Sequence, residues 1–300
     1  MAMNQPMPQP SEPPSTQNSP LEEPRFREIL RLLLRHRSAV IGGVIVLFFL
    51  LVALLADFVA PYDYAERSED LLQPPSAEHW FGTDETGRDI FSRVLYGTRI
   101  SLRVGFFAIT GSIIIGSFLG LIAGFYGGWR DVIISRLFDI LLAFPSILLA
   151  IAIVAMLGPG LNNALLAIAI INIPTFGRLM RSQVLSVKQE DFVLAARAMG
   201  MTNRRILFRH ILPNSWTPIM VQGTLGFATA VIEAAALGFL GLGAQPPHPE
   251  WGTMLADARG FIQLAPWTMV FPGLAMMLTV LGFNLLGDGL RDVLDPRMKR

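Results

Sequence analysis

The sequence predicts an all-α membrane protein with six transmembrane helices. Of its 300 residues, 52% are hydrophobic and only 16% are charged, and the mean hydropathy is +0.48. A soluble domain cannot bury that much apolar surface, whereas the hydrocarbon core of a bilayer accommodates it. Long uncharged segments alternate with polar loops, and most Lys and Arg residues fall on one side of the resulting topology. These observations place the chain among polytopic membrane proteins.

The N-terminal residues 1–24 contain seven prolines among Ser, Gln, Asn and Glu. Such a segment has too little apolar surface to fold, so we expect a disordered tail. It lacks the basic region and apolar core of a cleavable signal peptide. Residues 25–38 are expected to form a cytoplasmic pre-membrane segment, after which the first apolar run serves as signal and anchor together.

Uncharged runs define the six predicted spans of a membrane domain at residues 39–290. Residues 140–177 form a run of 38 uncharged residues, about twice the ~20 residues that one helix needs to cross the bilayer. The break is placed at residues 158–163, because Gly and Pro end one helix and Asn can cap the next. The predicted spans cover about residues 39–60, 104–129, 132–157, 161–180, 216–240 and 267–287.

The distribution of basic residues predicts that both termini are cytoplasmic. With this orientation the cytoplasmic side, including the tail 291–300, carries 18 of the 24 Lys and Arg residues. The other side carries six, and its loop at residues 61–103 also holds eight carboxylates. Because cytoplasmic loops of membrane proteins are enriched in Lys and Arg, the opposite topology is disfavoured.

The composition argues against chemistry within this chain. There is no cysteine, and a net charge of +1 does not indicate nucleic acid as a partner. The histidines show neither metal-ligand spacing nor a recognisable triad, so we expect no metal, no catalytic residue and no enzyme activity. They are His36, His79, His210 and His248. Lys188 and Lys299 are the two lysines, and neither follows the Gly-rich turn of a nucleotide-binding P-loop.

The longest cytoplasmic loop, residues 182–213, contains the pattern of a short amphipathic helix. Ser186 and Gln189 fit a capping box, which would start the helix at about residue 188. Gly200 suits the left-handed residue that ends a helix. The predicted apolar stripe consists of Phe192, Ala195, Ala196 and Met199.

A second short helix is expected to begin at Thr202 and to stop at Leu212 and Pro213, because proline breaks helices. It carries Arg204 and Arg205. An alanine-lined apolar face with a basic rim suits docking into a groove on another protein. It equally suits a helix that lies on lipid headgroups, and the pattern alone leaves both alternatives open.

The stretch EDFVLAARAMGMTNRRILFRHILPN resembles the signature loop of bacterial ABC importer permeases, E-A-A-x3-G-x9-I-x-L-P. Leu194 stands where the pattern has its leading Glu, and His210 stands where it has Ile. The resemblance implies that this loop is a coupling helix, which docks into a cleft on a cytoplasmic ATPase. The residues assigned to it are Asp191, Phe192, Ala195, Ala196, Met199, Gly200, Arg204, Arg205, Leu212 and Pro213.

Other segments narrow the resemblance to the dipeptide, oligopeptide and nickel permeases. FGTDETGRDIFSRVLYGTRISL resembles the block before span two, and ALGFLGLGAQPPHPEWGTML and FNLLGDGLRDVLDPRMKR resemble the dipeptide permease "C" subunit. The resemblance covers about residues 25–300 and implies the type I importer permease fold in a bacterial inner membrane. It also implies a homologous second permease, two cytoplasmic ATPases that bind ATP and magnesium, and an extracytoplasmic peptide-binding protein. This chain itself is expected to bind no cofactor.

The resemblance implies dipeptides or short peptides as cargo, with nickel, longer peptides or haem as alternatives. A secondary transporter is less compatible with the sequence, because neither an inverted repeat nor paired intramembrane charges can be recognised. An intramembrane enzyme is disfavoured because the sequence has no cysteine and no recognisable catalytic histidine arrangement.

Two ionisable residues are expected within spans, where such groups are costly and usually functional or paired. Asp139 follows Arg136 by one helical turn, so a local ion pair explains it. Glu233 either lines the translocation pathway or forms a hydrogen bond with a neighbouring helix. Trp251 is interpreted as an interfacial anchor or as a contact at a gate.

Two further patterns each leave alternatives open. Small residues recur every four positions in span two, which favours close helix packing over a pore-lining face. They are Ser112, Gly116, Gly120 and Gly124. The external segment GTDETGRD is expected to dock a binding protein or to stabilise a subunit interface.

Overall fold

The computed structural model describes residues 31–294, whose regular secondary structure is helical. Five helices are long and apolar enough to cross a membrane, and a bent pair of helices supplies a sixth candidate span. The predicted all-α architecture with six spans is therefore confirmed. The tail 1–24, the first part of the pre-membrane segment 25–38 and the last residues of the tail 291–300 lie outside the described residues.

Two short helices precede the fifth span and one short helix precedes the sixth. In chain order the helices are α1 (Arg37–Val59), α2 (Ile90–Tyr126), α3 (Gly128–Leu142), α4 (Ser146–Leu157), α5 (Leu161–Val187), α6 (Asp191–Ala198), α7 (Asn203–Ile206), α8 (Leu212–Phe239), α9 (Trp251–Ala258) and α10 (Trp267–Leu294). A π-helical turn at Leu207–Ile211 joins α7 to α8.

The second span belongs to a helix that starts far outside the predicted limit of residue 104. Asp89 caps α2, and its carboxylate accepts a hydrogen bond from the Ser92 amide at 2.7 Å. The helix ends at Tyr126 rather than at residue 129. It ends there because Gly127 and Gly128 adopt φ angles of +65° and +60°, which a right-handed helix does not contain.

The third span is not the single helix predicted at residues 132–157. It consists of α3 and α4, which meet at an angle of 91°. Pro145 caps α4, and a proline supplies no amide hydrogen to the preceding helix and disfavours helical geometry in the residue before it. The bend was therefore visible in the sequence, although the prediction overlooked it.

The cytoplasmic loop also differs from the prediction at both ends. Helix α5 continues to Val187, so Ser186 lies inside a helix and the predicted capping box is wrong. Pro213 does not stop the second helix, because α7 runs through the π turn into α8. The Leu212 amide bonds to the Leu207 carbonyl in the wider turn, and Pro213 follows in the first turn of α8, where its missing amide hydrogen is tolerated.

The core of the subunit is the crossing of α2 and α5. Any Cβ atom on Gly120 would collide with the backbone carbonyl of Gly177, so the two backbones touch at this point. The Ser112 hydroxyl donates a hydrogen bond to the Ala169 carbonyl across the same crossing at 2.8 Å. The small residues of span two thus pack against another helix of the same subunit, as the pattern favoured.

Candidate functional site

Helix α6 ends in a defined capping motif at the position that the sequence indicates. Gly200 has a φ angle of +74°, and its amide donates to the Arg197 carbonyl at 2.9 Å. The Met201 amide donates to the Ala196 carbonyl at 3.1 Å, which completes a Schellman motif. The chain therefore reverses tightly after α6, and the loop presents this helix on a short turn.

The apolar residues of α6 divide between its two sides. Val193 and Ala196 are fully buried and pack into the core of the subunit. Phe192 and Met199 are 43% and 69% exposed, and Ala195 is exposed beside them. The predicted stripe is thus only partly correct, because Ala196 anchors the helix from within while the other three residues face outward.

The basic residues beside α6 are exposed. Thr202 precedes α7 as predicted, although its side chain makes no capping hydrogen bond. Arg204 and Arg205 are exposed and form no ion pair with any residue of the part of the chain that the structure describes. Asp191 is exposed in the first turn of α6, and Pro213 is exposed at the start of α8. The loop therefore presents an exposed surface that is both apolar and basic.

Charged contacts hold the helix that leads into this loop. The Arg181 guanidinium on α5 makes two hydrogen bonds to the Asp131 carboxylate on α3, at 2.5 and 2.7 Å. Lys188, directly after α5, donates to the carbonyl of Phe125 at 2.7 Å. This ammonium group lies at the C-terminal end of α2, where the helix dipole favours positive charge.

Asp139 has a stronger partner than the predicted one. The pair with Arg136 is present but long, at 3.7 Å, whereas Arg178 on α5 approaches the same carboxylate to 2.6 Å. Sequence spacing could find Arg136 on the same helix. It could not find Arg178, which is brought into contact only by the packing of α3 against α5.

Glu233 forms a hydrogen bond with the neighbouring helix α5. This is one of the two alternatives that the sequence left open. The Asn172 side-chain amide on α5 donates to Glu233 Oε2 at 2.9 Å. The Glu233 side chain is only partly buried, so it also keeps access to the outer side of the helix pair. This contact leaves the pathway interpretation open.

Trp251 is not an exposed interfacial anchor. Its side chain is fully buried at the start of α9, and its indole nitrogen donates to the Val94 carbonyl at 3.3 Å. The ring packs edge-on against Phe49 at 6.0 Å between centroids. The interpretation was wrong because proline-rich flanking sequence does not reveal that α9 folds back against α1 and α2.

The segment GTDETGRD is an internal structural element. Asp84 and Arg88 are buried and paired at 2.7 Å, and the Arg93 side chain lies 3.5 Å from the same carboxylate. Asp89 is buried, and its carboxylate oxygen Oδ1 lies within hydrogen-bond distance of His79 Nδ1, at 2.9 Å. With these charges buried inside the subunit, the segment stabilises the start of α2 rather than offering a charged docking surface.

Glu250 was missed by the sequence analysis. It is only 2% exposed and caps α9, where its carboxylate accepts hydrogen bonds from the amides of Gly252 and Thr253 at 2.9 and 3.1 Å. Burial raises the pKa of Glu250 to about 7, and these two hydrogen bonds oppose the rise. The signal that could have found it is the capping position directly before an amphipathic segment.

The described residues offer little room for a small-molecule site. A cavity of about 110 Å³ is lined by residues that include Arg88, Arg93, His248 and Asp257. No group of three or more His, Asp or Glu side chains between residues 31 and 294 is arranged to hold a metal ion. The sites that the geometry does define are the cytoplasmic loop surface and the pair between α5 and α8.

Comparison with known families identifies the class of protein. Residues 116–300 match the family described as the binding-protein-dependent transport system inner membrane component. Residues 25–75 match the N-terminal transmembrane domain of oligopeptide transport permease C. The chain belongs to this family of ABC importer permeases. It is therefore a transport subunit rather than an enzyme.

Several curated relatives match almost the full length of this permease. The dipeptide transport system permease protein DppC of Alkalihalophilus pseudofirmus is 61% identical over 97% of this chain and 96% of the relative. The glutathione transport system permease protein GsiD of Pectobacterium atrosepticum is 52% identical over 91% and 92%. The di/tripeptide transport system permease protein DppC of Pseudomonas aeruginosa is 50% identical over 88% and 90%.

Solved structures support the fold of the permease. The inward-facing MetNI methionine ABC transporter matches with a TM-score of 0.58 at 20% identity, over 69% of this chain and 98% of that chain. An amino acid ABC transporter crystallised with histidines matches with a TM-score of 0.52 at 16% identity, over 66% and 92%. The fold is that of a type I importer permease, and membership of the family implies ATPase partners and a second permease.

Proposed function

We propose that this permease moves dipeptides or short peptides into a bacterial cell, together with a homologous second permease. Full-length similarity to a dipeptide permease at 61% identity is the observation that carries this proposal. A relative named for glutathione transport supports a peptide-like cargo as well. Nickel, longer peptides and haem remain alternatives that the same machinery could carry.

The cytoplasmic loop is proposed as the contact with one of the two ATPase subunits. Phe192 and Met199 offer an apolar surface, and Arg204 and Arg205 offer positive charge without a partner among the described residues. Such a surface fits a cleft that is apolar at its centre and acidic at its rim. In this arrangement ATP and magnesium belong to the ATPases, and this chain binds no cofactor.

Rigid contacts would carry movement of the loop into the membrane domain. Arg181 and Lys188 connect the helix before the loop to α3 and to the end of α2. ATP-driven closure of the ATPases would therefore move these helices together and shift the assembly between inward- and outward-facing states. The pathway would lie between the two permeases, with Glu233 on its lining.

The topology of this proposal has both termini in the cytoplasm of a bacterium and the permease in its inner membrane. The extracytoplasmic side, which includes residues 60–89 and α9, would then receive a peptide-binding protein. Because the charges of the segment GTDETGRD are internally paired, we expect that contact to involve other, exposed residues of this side.

The test is peptide uptake by proteoliposomes that contain both permeases, both ATPases and the loaded binding protein. We expect uptake of alanyl-alanine that requires ATP, and peptide-stimulated ATP hydrolysis. Uptake driven by an ion gradient without ATPase subunits would contradict the importer assignment for this complex. ATP-dependent uptake of nickel or haem in the absence of peptide uptake would instead correct the cargo.

The docking surface is tested in the same assay by replacing Arg204 and Arg205 with Glu. We expect the ATPase subunits to be lost on purification and ATP-dependent uptake to fall. Arg136 is a suitable control, because its side chain is 77% exposed and lies on α3 outside the loop. Retention of the ATPases and of full uptake by the double variant would show that this surface is not the docking site.

A further inference from the structure

A polar strip follows the membrane-spanning helices α5 and α8 on a side that the subunit leaves uncovered. On α5, Asn172, Thr175 and Arg178 follow one another at intervals of three residues, and none of them is buried. On α8, Thr229 and Glu233 lie one turn apart, and neither is buried. Because polar side chains are costly against lipid, this side of the helix pair faces a partner or an aqueous pathway.

Glu233 differs in its partners from three other carboxylates on the membrane-spanning helices. Asp57, Asp131 and Asp139 each form an ion pair with an arginine. Within residues 31–294, Glu233 accepts a hydrogen bond through Oε2 from the neutral side-chain amide of Asn172, and its Oε1 accepts no hydrogen bond. Burial disfavours the charged form of such an intramembrane carboxylate, and a cation from outside the subunit would stabilise it.

Asn172 adds a second free acceptor to the same place. Its side-chain nitrogen donates both to Glu233 and to the carbonyl of Ile168, at 2.9 and 3.0 Å. Both amide hydrogens are thereby used, and its oxygen accepts no hydrogen bond from the described residues. The pair therefore presents two acceptor oxygens and no available donor, which fits a group that only donates.

We infer that Glu233 and Asn172 form a binding site for the cationic amino group of a substrate peptide within the pathway. A terminal ammonium group carries three donors and a positive charge, and the pair offers a carboxylate oxygen and an amide oxygen to receive it. A carboxylate group would find no donor here and would be repelled. This inference rests on the proposed peptide transport and adds a point of recognition within the membrane.

The first experiment separates charge from structure. The complete complex is reconstituted with Glu233→Gln, which keeps the size of the side chain, or with Glu233→Asp, which keeps its charge. We expect alanyl-alanine uptake at limiting peptide to fall about tenfold or more in the Gln variant, and less in the Asp variant. Co-purification of the second permease and the ATPases is measured for each variant, so that loss of the complex is not mistaken for loss of peptide binding.

The second experiment uses the natural absence of cysteine from the chain. Glu233→Cys is treated with a methanethiosulfonate reagent that adds either a sulfonate or a trimethylammonium group. We expect the sulfonate to restore uptake and the trimethylammonium group to suppress it further. Ile232→Cys, at a neighbouring apolar position that is 49% exposed, is the control and should not react, because an apolar side chain on a span is expected to face lipid or a helix rather than water. The wild-type chain controls for reaction with partner subunits.

The outcomes distinguish this inference from the function on which it rests. A wild-type complex that takes up no peptide would contradict the proposed function, and with it the site. Normal wild-type uptake with an unaffected Gln variant, or a Glu233→Cys variant that reacts with neither reagent, would overturn the site alone. Loss of the second permease from the Gln variant would show that the cation belongs to that partner, which would also overturn it.

Discussion

Arg181 and Asp131 join the helix before the cytoplasmic loop to the first half of the bent span through two parallel hydrogen bonds. The distances are 2.5 and 2.7 Å, and both side chains are partly shielded from solvent, at 34% and 21% exposure. Bidentate geometry of this kind makes an Arg–carboxylate pair stronger than an ordinary surface ion pair. The pair therefore fixes the orientation of α5 relative to α3 just before the chain enters the loop.

We predict that this ion pair contributes both to the stability of the permease and to the coupling of ATP hydrolysis to transport. Asp131→Ala and Arg181→Ala should each lower the unfolding midpoint in detergent, and a double-mutant cycle should give a coupling free energy of about 1 kcal/mol or more. Each single variant should also take up less peptide per ATP hydrolysed. The exchanged pair, Asp131→Arg with Arg181→Asp, should recover part of that loss. Arg136→Ala is the control, because its ion pair is long and its side chain is 77% exposed.

Independent effects of the two alanine variants, which add without coupling, would contradict the prediction for stability. Full uptake per ATP in both single variants would contradict the role in coupling, whatever happens to the unfolding midpoint. The two measurements thus report separately on the contact and on its use.

The turn after α6 depends on the backbone of Gly200. Its φ angle of +74° costs a residue with a Cβ atom about 1–2 kcal/mol. Because no atom lies within 4 Å of the position of that Cβ, the strain is conformational and not steric. Gly200→Ala should therefore loosen α6, which hydrogen exchange of its amides measures, and should reduce ATP-driven uptake.

Gly260→Ala provides the matched control for this substitution. Gly260 also has open space around it, but its backbone is outside the positive-φ region. We expect its stability and uptake to stay within the error of the wild type. Equal protection of the α6 amides in both variants would show that the left-handed turn does not hold the helix.

The crossing of α2 and α5 has its closest contact at Gly120. A methyl group there collides with the backbone of Gly177, which cannot move as a flexible side chain could. Gly120→Ala should lower the stability by about 1–3 kcal/mol or more, as expected for overpacking. Gly111→Ala on the same helix is the control, because its Cβ would lie 3.7 Å from Ala169, an ordinary contact distance. Similar unfolding midpoints for the two variants would refute the tight crossing.

The sequence predicted the number of spans because uncharged length and glycine or proline breaks are local signals. It also located Gly200, since the capping position follows directly from the end of an apolar stripe. It could not tell that Ala196 faces inward, because α6 is apolar on both sides and periodicity alone does not choose between them. The pairing of Asn172 with Glu233 was equally hidden, since it depends on how two distant helices pack.

The buried carboxyl group of Glu250 predicts that stability depends on pH. Its pKa is raised from the ordinary 4.5 to about 7 in the folded protein, so the folded state holds the proton more tightly than the unfolded state does. The stabilisation is complete below about pH 4.5 and is lost as the pH rises through about 7. The full difference corresponds to about 3 kcal/mol.

We therefore expect the unfolding midpoint of the purified permease to decrease as the pH rises from about 4.5 to about 7, the window between the two pKa values of Glu250. Glu250→Gln stays neutral across that range and still has one oxygen to accept a hydrogen bond from the cap amides of α9, so its midpoint should change less with pH. The difference between the two profiles isolates this residue from every other titrating group. Parallel profiles for the wild type and the Gln variant would mean that the carboxyl group of Glu250 has the same pKa in the folded and unfolded states. Burial would then not control its ionisation.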